Sequence, residues 1–231
     1  MRQILEEAFI TCWQEAASLG TMIAPAVLLG PIVVLIASAG LPVALVTLPF
    51  LLVVYLAAYA ACVRAAGFVQ RNLAPDPVLS YQDVLANAPE LLRLILPGGL
   101  LLAVVTGSAF VINDQGAALV ALEVAVLGAG VFLFWWARHA YDQPLLLAYE
   151  VEAPEARRVG SLLARGGLSW TLCLVGAVSV PLLLAGLLSW GLAAAVTAPF
   201  GGAIFALALA LWLPFAAFSL TAACARLVGT E

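Results

Sequence analysis

Glu123 is the residue in this chain whose type and place are hardest to explain by packing alone. It stands in Leu122-Glu123-Val124-Ala125, inside an apolar run. An ionisable group at membrane depth is costly and often marks an ion or substrate path. Asp114, on the preceding loop, could join it as a weak cation site. The alternative is a glutamate that reaches outer water or bonds a hydroxyl in the bundle. His139 is the single histidine. It could ligate a haem or chlorophyll axially, although no second histidine exists for a paired site. Its alternative role is an interfacial residue beside Arg138 at a helix end. Arg157, Arg158 and Arg165 form the densest basic group and are candidate contacts for anionic lipid head groups. The competing role for these arginines is simply to fix topology. Cys62, Cys173 and Cys224 share one expected depth, where they could bind a metal, accept a lipid or pack as small apolar residues.

Other chemistry is not indicated. There is no Gly-rich phosphate loop and no His-Glu-x-x-His pair, and one histidine leaves little room for a Ser-His-Asp set. No apolar segment carries a repeated file of Asp, Glu, Arg or Asn, which a polar translocation route would require. Catalytic residues and metal ligands are therefore unassigned, and no cofactor is expected.

The elements that position these residues follow from composition. Of 231 residues, 65% are hydrophobic and 10% charged, with a mean hydropathy of +1.13. A soluble domain could not hide that much apolar surface. A bilayer core of ~30 Å takes roughly 20 helical residues to cross. Six segments qualify: 20–39, 43–66, 94–112, 117–140, 168–194 and 200–227. The hairpins break at Ala39-Gly40-Leu41-Pro42, at Asn113-Asp114-Gln115-Gly116 and near Thr197-Ala198-Pro199, all with turn chemistry. Pro25, Pro31, Pro49, Pro97, Pro181 and Pro214 fall inside the spans, where neighbouring helices satisfy the freed carbonyls.

An amphipathic helix precedes each hairpin. In the first, Ile4, Leu5, Ala8, Phe9, Cys12 and Trp13 share a face. The second begins at Ser80, with Asp83 as a capping-box partner. The third begins near Pro154, with Ala156, Val159, Leu162 and Leu163 set against Glu155, Arg157, Arg158 and Arg165. The expected fold is thus an all-α polytopic membrane bundle with six spans and three interfacial helices. It forms one domain of three repeat-like units, 1–70, 78–141 and 152–228. Ala60-Ala61-Cys62-Val63-Arg64 and Ala222-Ala223-Cys224-Ala225-Arg226 close the first and third units, and Arg138 closes the second.

All nine basic residues are arginines, and six spans allow every one of them to lie on one side. That places both termini in the cytoplasm. Glu6, Glu7 and Glu15 argue against a cleavable signal peptide. The four cysteines then face a reducing compartment and are expected as free thiols. Trp13, Trp135, Trp136 and Trp170 fit an inner aromatic belt, Trp190 an outer one, and Trp212 a packing role. No basic surface is large enough for nucleic acid.

The segment Gln143 to Trp170 carries Gln-Pro-Leu-Leu-Leu-Ala-Tyr-Glu, then Glu155-Ala156-Arg157-Arg158, Leu162-Leu163-Ala164-Arg165-Gly166 and Ser169-Trp170. It resembles a set of bacterial six-span membrane families related to the membrane domain of some glycerophosphodiester phosphodiesterases. The chain departs from them at Val159-Gly160-Ser161, where a serine usually follows the basic pair directly. No phosphodiesterase domain accompanies it. The expected protein is a multi-pass protein of the bacterial inner membrane, a non-enzymatic scaffold or accessory subunit that organises partner membrane proteins or lipids, with a homo-oligomer as another assembly. A small transporter or channel using Glu123 is the competing class.

Overall fold

The computed structural model describes residues 1–114 and 116–229 and, within 41–48, 99–129 and 190–198, the backbone alone at many positions. The described chain is helical apart from short connections, in three successions of one short helix and two long ones. The first comprises α1 (Arg2–Gln14), α2 (Ala16–Ala37) and α3 (Leu41–Gln70). The second comprises α4 (Pro77–Ala86), α5 (Ala88–Asp114) and α6 (Ala118–His139). The third comprises α7 (Ala153–Gly166), α8 (Leu168–Ala195) and α9 (Ala198–Val228). Every short helix runs into its long successor through one non-helical residue: Glu15, Asn87 or Gly167.

Local chemistry sets most boundaries. Gly40, at φ 149°, starts α3 in a conformation that side chains resist. Pro42, Pro77, Pro154 and Pro199 occupy first-turn positions, where the missing N–H has no intrahelical partner to lose. The second short helix departs from the sequence expectation. It starts at Pro77, and the Asp76 side chain caps it, accepting from the Val78 and Leu79 amides at 2.8 and 3.2 Å. Ser80 therefore lies inside the helix and is buried. Asp83 is consequently free to act elsewhere.

Among the described residues, four helical stretches are long and apolar enough to cross a membrane: Ala16–Ala37, Pro49–Gln70, Leu168–Ser189 and Pro199–Val228. They form the central bundle, in which α2 packs on α3 and α9, and α9 also packs on α3 and α8. Its core is built largely from small residues, including Ala26, Ala58, Ala61, Ala210 and Ala217, all buried. Small side chains let helix backbones approach closely where lipid offers no hydrophobic drive to associate. Polar pins add direction. The Tyr55 hydroxyl donates to the Ala206 carbonyl, and Trp212 Nε1 donates to the Val178 carbonyl at 2.7 Å. Leu28, Phe50, Val53, Leu183, Leu187 and Leu188 are exposed on the outside, a surface suited to lipid rather than water.

The hairpin of α5 and α6 stands to one side, and α6 joins it to the bundle through α8 and α7. The short helices lie against the ends of preceding long ones: α4 on α3, α7 on α6 and, closing the circuit, α1 on α9. α1 buries Ile4 and Ala8 there but leaves Phe9, Ile10 and Trp13 exposed. The packed face of α7 is narrower than the sequence suggests. It consists of Ala153, Ala156, Gly160 and Ala164, while Leu162 is exposed. Close helix approach selects the smallest residues here over the largest apolar ones.

Candidate functional site

A charged cavity lies at the end of the bundle where the short helices gather, and Arg64 forms its anchor. Arg64 is on α3, with its side chain only 13% exposed. Its Nε donates to Asp83 Oδ2 of α4 at 2.6 Å. Its Nη1 donates to the Leu147 carbonyl at 2.7 Å and to Glu150 Oε1 at 2.9 Å. Arg71, two turns on, donates to the same Glu150 oxygen at 3.0 Å and to the Ala148 carbonyl at 2.7 Å. The Phe68 ring lies under the Arg64 guanidinium, 4.8 Å from its centroid, a cation–π contact that suits a desolvated arginine.

These contacts hold the connection between α6 and α7 in an unusual form. Pro144–Ala148 makes a π-helical turn, a form that recurs at functional sites. Glu150 follows at φ 58°, a strained value for a residue with a side chain. The Val151 amide returns to the Leu145 carbonyl at 3.0 Å. Leu145, Leu146, Leu147 and Ala148 are all buried. Two arginines thus satisfy carbonyls that a regular helix would have paired internally. Gly67 permits the fit, because a Cβ there would sit 2.8 Å from both the Ala148 Cα and Cβ.

The cavity has a volume of about 650 Å³, within the size range of small-molecule sites. Asp83, Glu90, Glu150 and Glu152 line it together with Arg64 and Arg93. Arg93 pairs with Glu90 at 3.0 Å, and its carbonyl accepts from Arg157 Nη2 at 2.9 Å. Asn87 Nδ2 donates to the Asp83 carbonyl at 2.9 Å. Hydrogen bonds from Arg64 and Arg71 hold the Glu150 carboxyl below its ordinary pKa, so it stays ionised well into the acid range. Four carboxylates and two guanidiniums make an acidic lining, in which arginines hold Asp83, Glu90 and Glu150. No Ser, Cys, His or Lys stands among the described lining residues. The arrangement can hold a polar or cationic group by charge, and it offers no paired nucleophile and base.

A smaller cavity of about 60 Å³ lies alongside, lined by Leu94, Ile95, Trp135, Trp136, His139, Asp142 and Gln143. That is room for roughly two waters. His139 Nδ1 and Asp142 Oδ2 are 2.8 Å apart, and the Trp135 ring lies 5.0 Å from the imidazole. The Asp142 side chain is buried and its Oδ1 has no hydrogen-bond partner. Burial raises its pKa, and the hydrogen bond from His139 opposes this only in part. The sign of the linkage follows. A carboxyl whose folded pKa is raised favours the fold fully at acid pH and loses that contribution as pH rises through the folded value. Asp142→Asn removes the buried charge and keeps an acceptor for His139. It is expected to raise the unfolding temperature by a few degrees at neutral pH, an advantage that disappears in acid. Thermal unfolding in detergent at the two pH values checks this.

The residues singled out in the sequence are dispersed. Glu123 is exposed on α6, in the second turn from the far end of the hairpin. Asp114 ends α5, and its side chain lies outside the described residues, so the proposed pairing with Glu123 falls there too. His139 meets Asp142, a partner the sequence reading does not assign. Of the three basic residues on α7, Arg157 bonds the Arg93 carbonyl and Arg158 pairs with Glu155. Arg165 is exposed. All four cysteines are free, with Cys62 and Cys224 buried, Cys173 exposed and Cys12 in between. No cluster of three metal-ligating side chains occurs among the described residues. Sequence reasoning passes over Arg64, Arg71, Asp83 and Glu150 as site residues, because it takes the arginines as topology markers and Asp83 as a helix cap, and gives Glu150 no role of its own. Comparison with family models, characterised proteins and solved structures finds no match for the chain.

Proposed function

We propose that this chain is a six-span accessory protein of a bacterial inner membrane, working as a non-enzymatic binding module through its arginine-bearing face. On this reading α5 and α6 supply the remaining two crossings. At 27 and 22 residues they would be about 40 and 33 Å long, enough to span a bilayer core. The arginine positions favour a cytoplasmic side for the short helices and both termini. The observation that carries the binding role is the charged cavity of about 650 Å³ anchored by Arg64. Three of its four carboxylates, Asp83, Glu90 and Glu150, are held by arginines before any ligand arrives, which lowers the ordering cost of binding. Their excess over the guanidiniums selects a cationic group, such as a basic segment of a partner protein. The three successions of short helix and hairpin support a threefold internal repeat.

Purification of the full chain from its native membrane in mild detergent tests the reading. A partner should be recovered in stoichiometric amount, and Glu152→Lys, which reverses a charge in the lining, should release it. Glu152 is exposed and has no side-chain capping bond, so the variant leaves the fold intact. Recovery of the wild type as a free chain, or retention of the partner by the variant, counts against the cavity as the binding site.

A further inference from the structure

Two apolar grooves lie side by side where the first short helix meets the bundle, and Phe9 of α1 belongs to both. One, of about 380 Å³, lies between α1, α2 and α9, with Trp13, Gly20 and Ile23 in its wall. The other, of about 410 Å³, lies against α8 and α9, with Pro181, Leu182 and Ala185 in its wall. Phe9, Leu211 and Phe215 line the two grooves in common, so a single aromatic and aliphatic ridge divides them. No charged residue stands among the described lining residues of either.

Depth decides what can enter. Apart from α1, every wall belongs to a stretch long and apolar enough to cross a membrane: Ala16–Ala37, Leu168–Ser189 or Pro199–Val228. The grooves therefore continue the exposed apolar surface that carries Leu28, Leu183 and Leu187, a surface suited to hydrocarbon. Phe9 and Trp13 stay 63% and 77% exposed beside them, and tryptophan on a short amphipathic helix is the residue of the head-group level. Width then separates a lipid from a protein. A helix is about 10–12 Å across with its side chains, so each groove would hold only about one turn of it. An acyl chain is a single file of methylenes and fits a space that narrow. Two grooves of nearly equal volume astride one ridge match a molecule with two such chains.

We infer that these grooves seat one diacyl phospholipid, with an acyl chain on each side of Phe9. Lipid tails are as apolar as the groove walls, so van der Waals fit rather than transfer from water holds the chains there. Gly20 contributes to that fit by what it lacks. Nothing lies within 4 Å of its Cβ position, and any side chain there would occupy the open space of its groove. The charged cavity takes no part in this site.

Native mass spectrometry of the full chain in detergent, with equal amounts of phosphatidylethanolamine and its single-chain lyso form, tests it. The head group is common to both lipids, so preferential retention of the diacyl form reports the chains. Gly20→Leu fills one groove and Ala185→Leu the other. Each should cut diacyl retention about fivefold, the loss of roughly six carbon–carbon contacts, and leave the lyso lipid bound in the groove that stays open. The double variant should lose both lipids. Leu28→Phe, at an exposed position of α2 outside both grooves, is the control and should change neither. Unfolding temperatures near that of the wild type show that the variants fold. Unchanged diacyl retention in both groove variants, or an equal loss in Leu28→Phe, overturns the inference. A dimer that Gly20→Leu dissociates means that a second copy of the chain fills the groove, and the lipid assignment fails.

Discussion

Arg64→Met is expected to destabilise the protein more than any other single charge removal, by ~3 kcal/mol, equivalent to roughly 6–12 °C in unfolding temperature for a chain of this size. The side chain is 13% exposed and makes contacts to Asp83, Glu150 and the Leu147 carbonyl. Removing it leaves two carboxylates and a carbonyl short of a donor next to a strained connection. The acids are 37% and 56% exposed, so water compensates them in part, which places the estimate at the low end for breaking a buried pair. Arg64→Lys keeps the charge but cannot reproduce a fork that reaches three acceptors, and should recover less than half of the loss. Pairing Arg64→Met with Asp83→Leu should cost less than the sum of the single effects, because the second change removes an orphaned charge. Thermal unfolding of the four variants in one detergent measures the series. An Arg64→Met protein within a degree of the wild type removes Arg64 as the anchor.

Gly67→Val should rival it through a different cause. The position faces backbone: a Cβ would stand 2.8 Å from the Ala148 Cα and 3.3 Å from its carbonyl oxygen. A flexible side chain could turn aside, but the main chain of the π-helical turn is held by Arg64 and Arg71 and cannot. Overpacking of this kind costs ~1–3 kcal/mol, and a β-branched residue belongs at the upper end. Because the clash pushes Ala148 away from α3, the arginine contacts to the connection should weaken as well. Proteolysis between Tyr149 and Ala153 should therefore accelerate in the variant. Gly20→Ala is the matched control. Nothing lies within 4 Å of its Cβ position, and alanine is the better helix former by ~1 kcal/mol, so the control should be neutral or stabilising. Equal behaviour of the two variants would show that the fit at Ala148 is loose.

How far the fold could be read in advance depended on the range of the forces involved. The expected segments 168–194 and 200–227 differ from α8 and α9 by only a few residues. Apolar run length, proline placement and turn residues are local properties. Local signals were weaker where two choices compete within one helix turn. Ser80 with Asp83 resembles a cap, yet Asp76, about one turn upstream and followed by Pro77, makes the better start because it satisfies two amides at once. On α7 the expected face of Ala156, Val159, Leu162 and Leu163 keeps only Ala156 fully buried, and Ala153, Gly160 and Ala164 complete the packed face. Gly160 admits the connection so closely that a Cβ would lie 2.3 Å from Asp142 Oδ1. Nothing in the spacing of α7 alone announces that approach.

The sequence by itself determined that the chain is helical, that it carries helices long and apolar enough to cross a membrane, and that short amphipathic helices precede the long pairs. Those features arise from hydrophobic surface and backbone chemistry within a dozen residues or so, and they need no partner to be legible. The tertiary structure alone decided which charges meet. Arg71 reaches Glu150 across 79 positions and Arg226 reaches Glu7 across 219, distances over which composition carries no pairing information. Apolar burial is nearly indifferent to the identity of the neighbour, whereas an ion pair depends on two atoms within about 3 Å. That difference is why the architecture could be read along the chain and the charged sites could not.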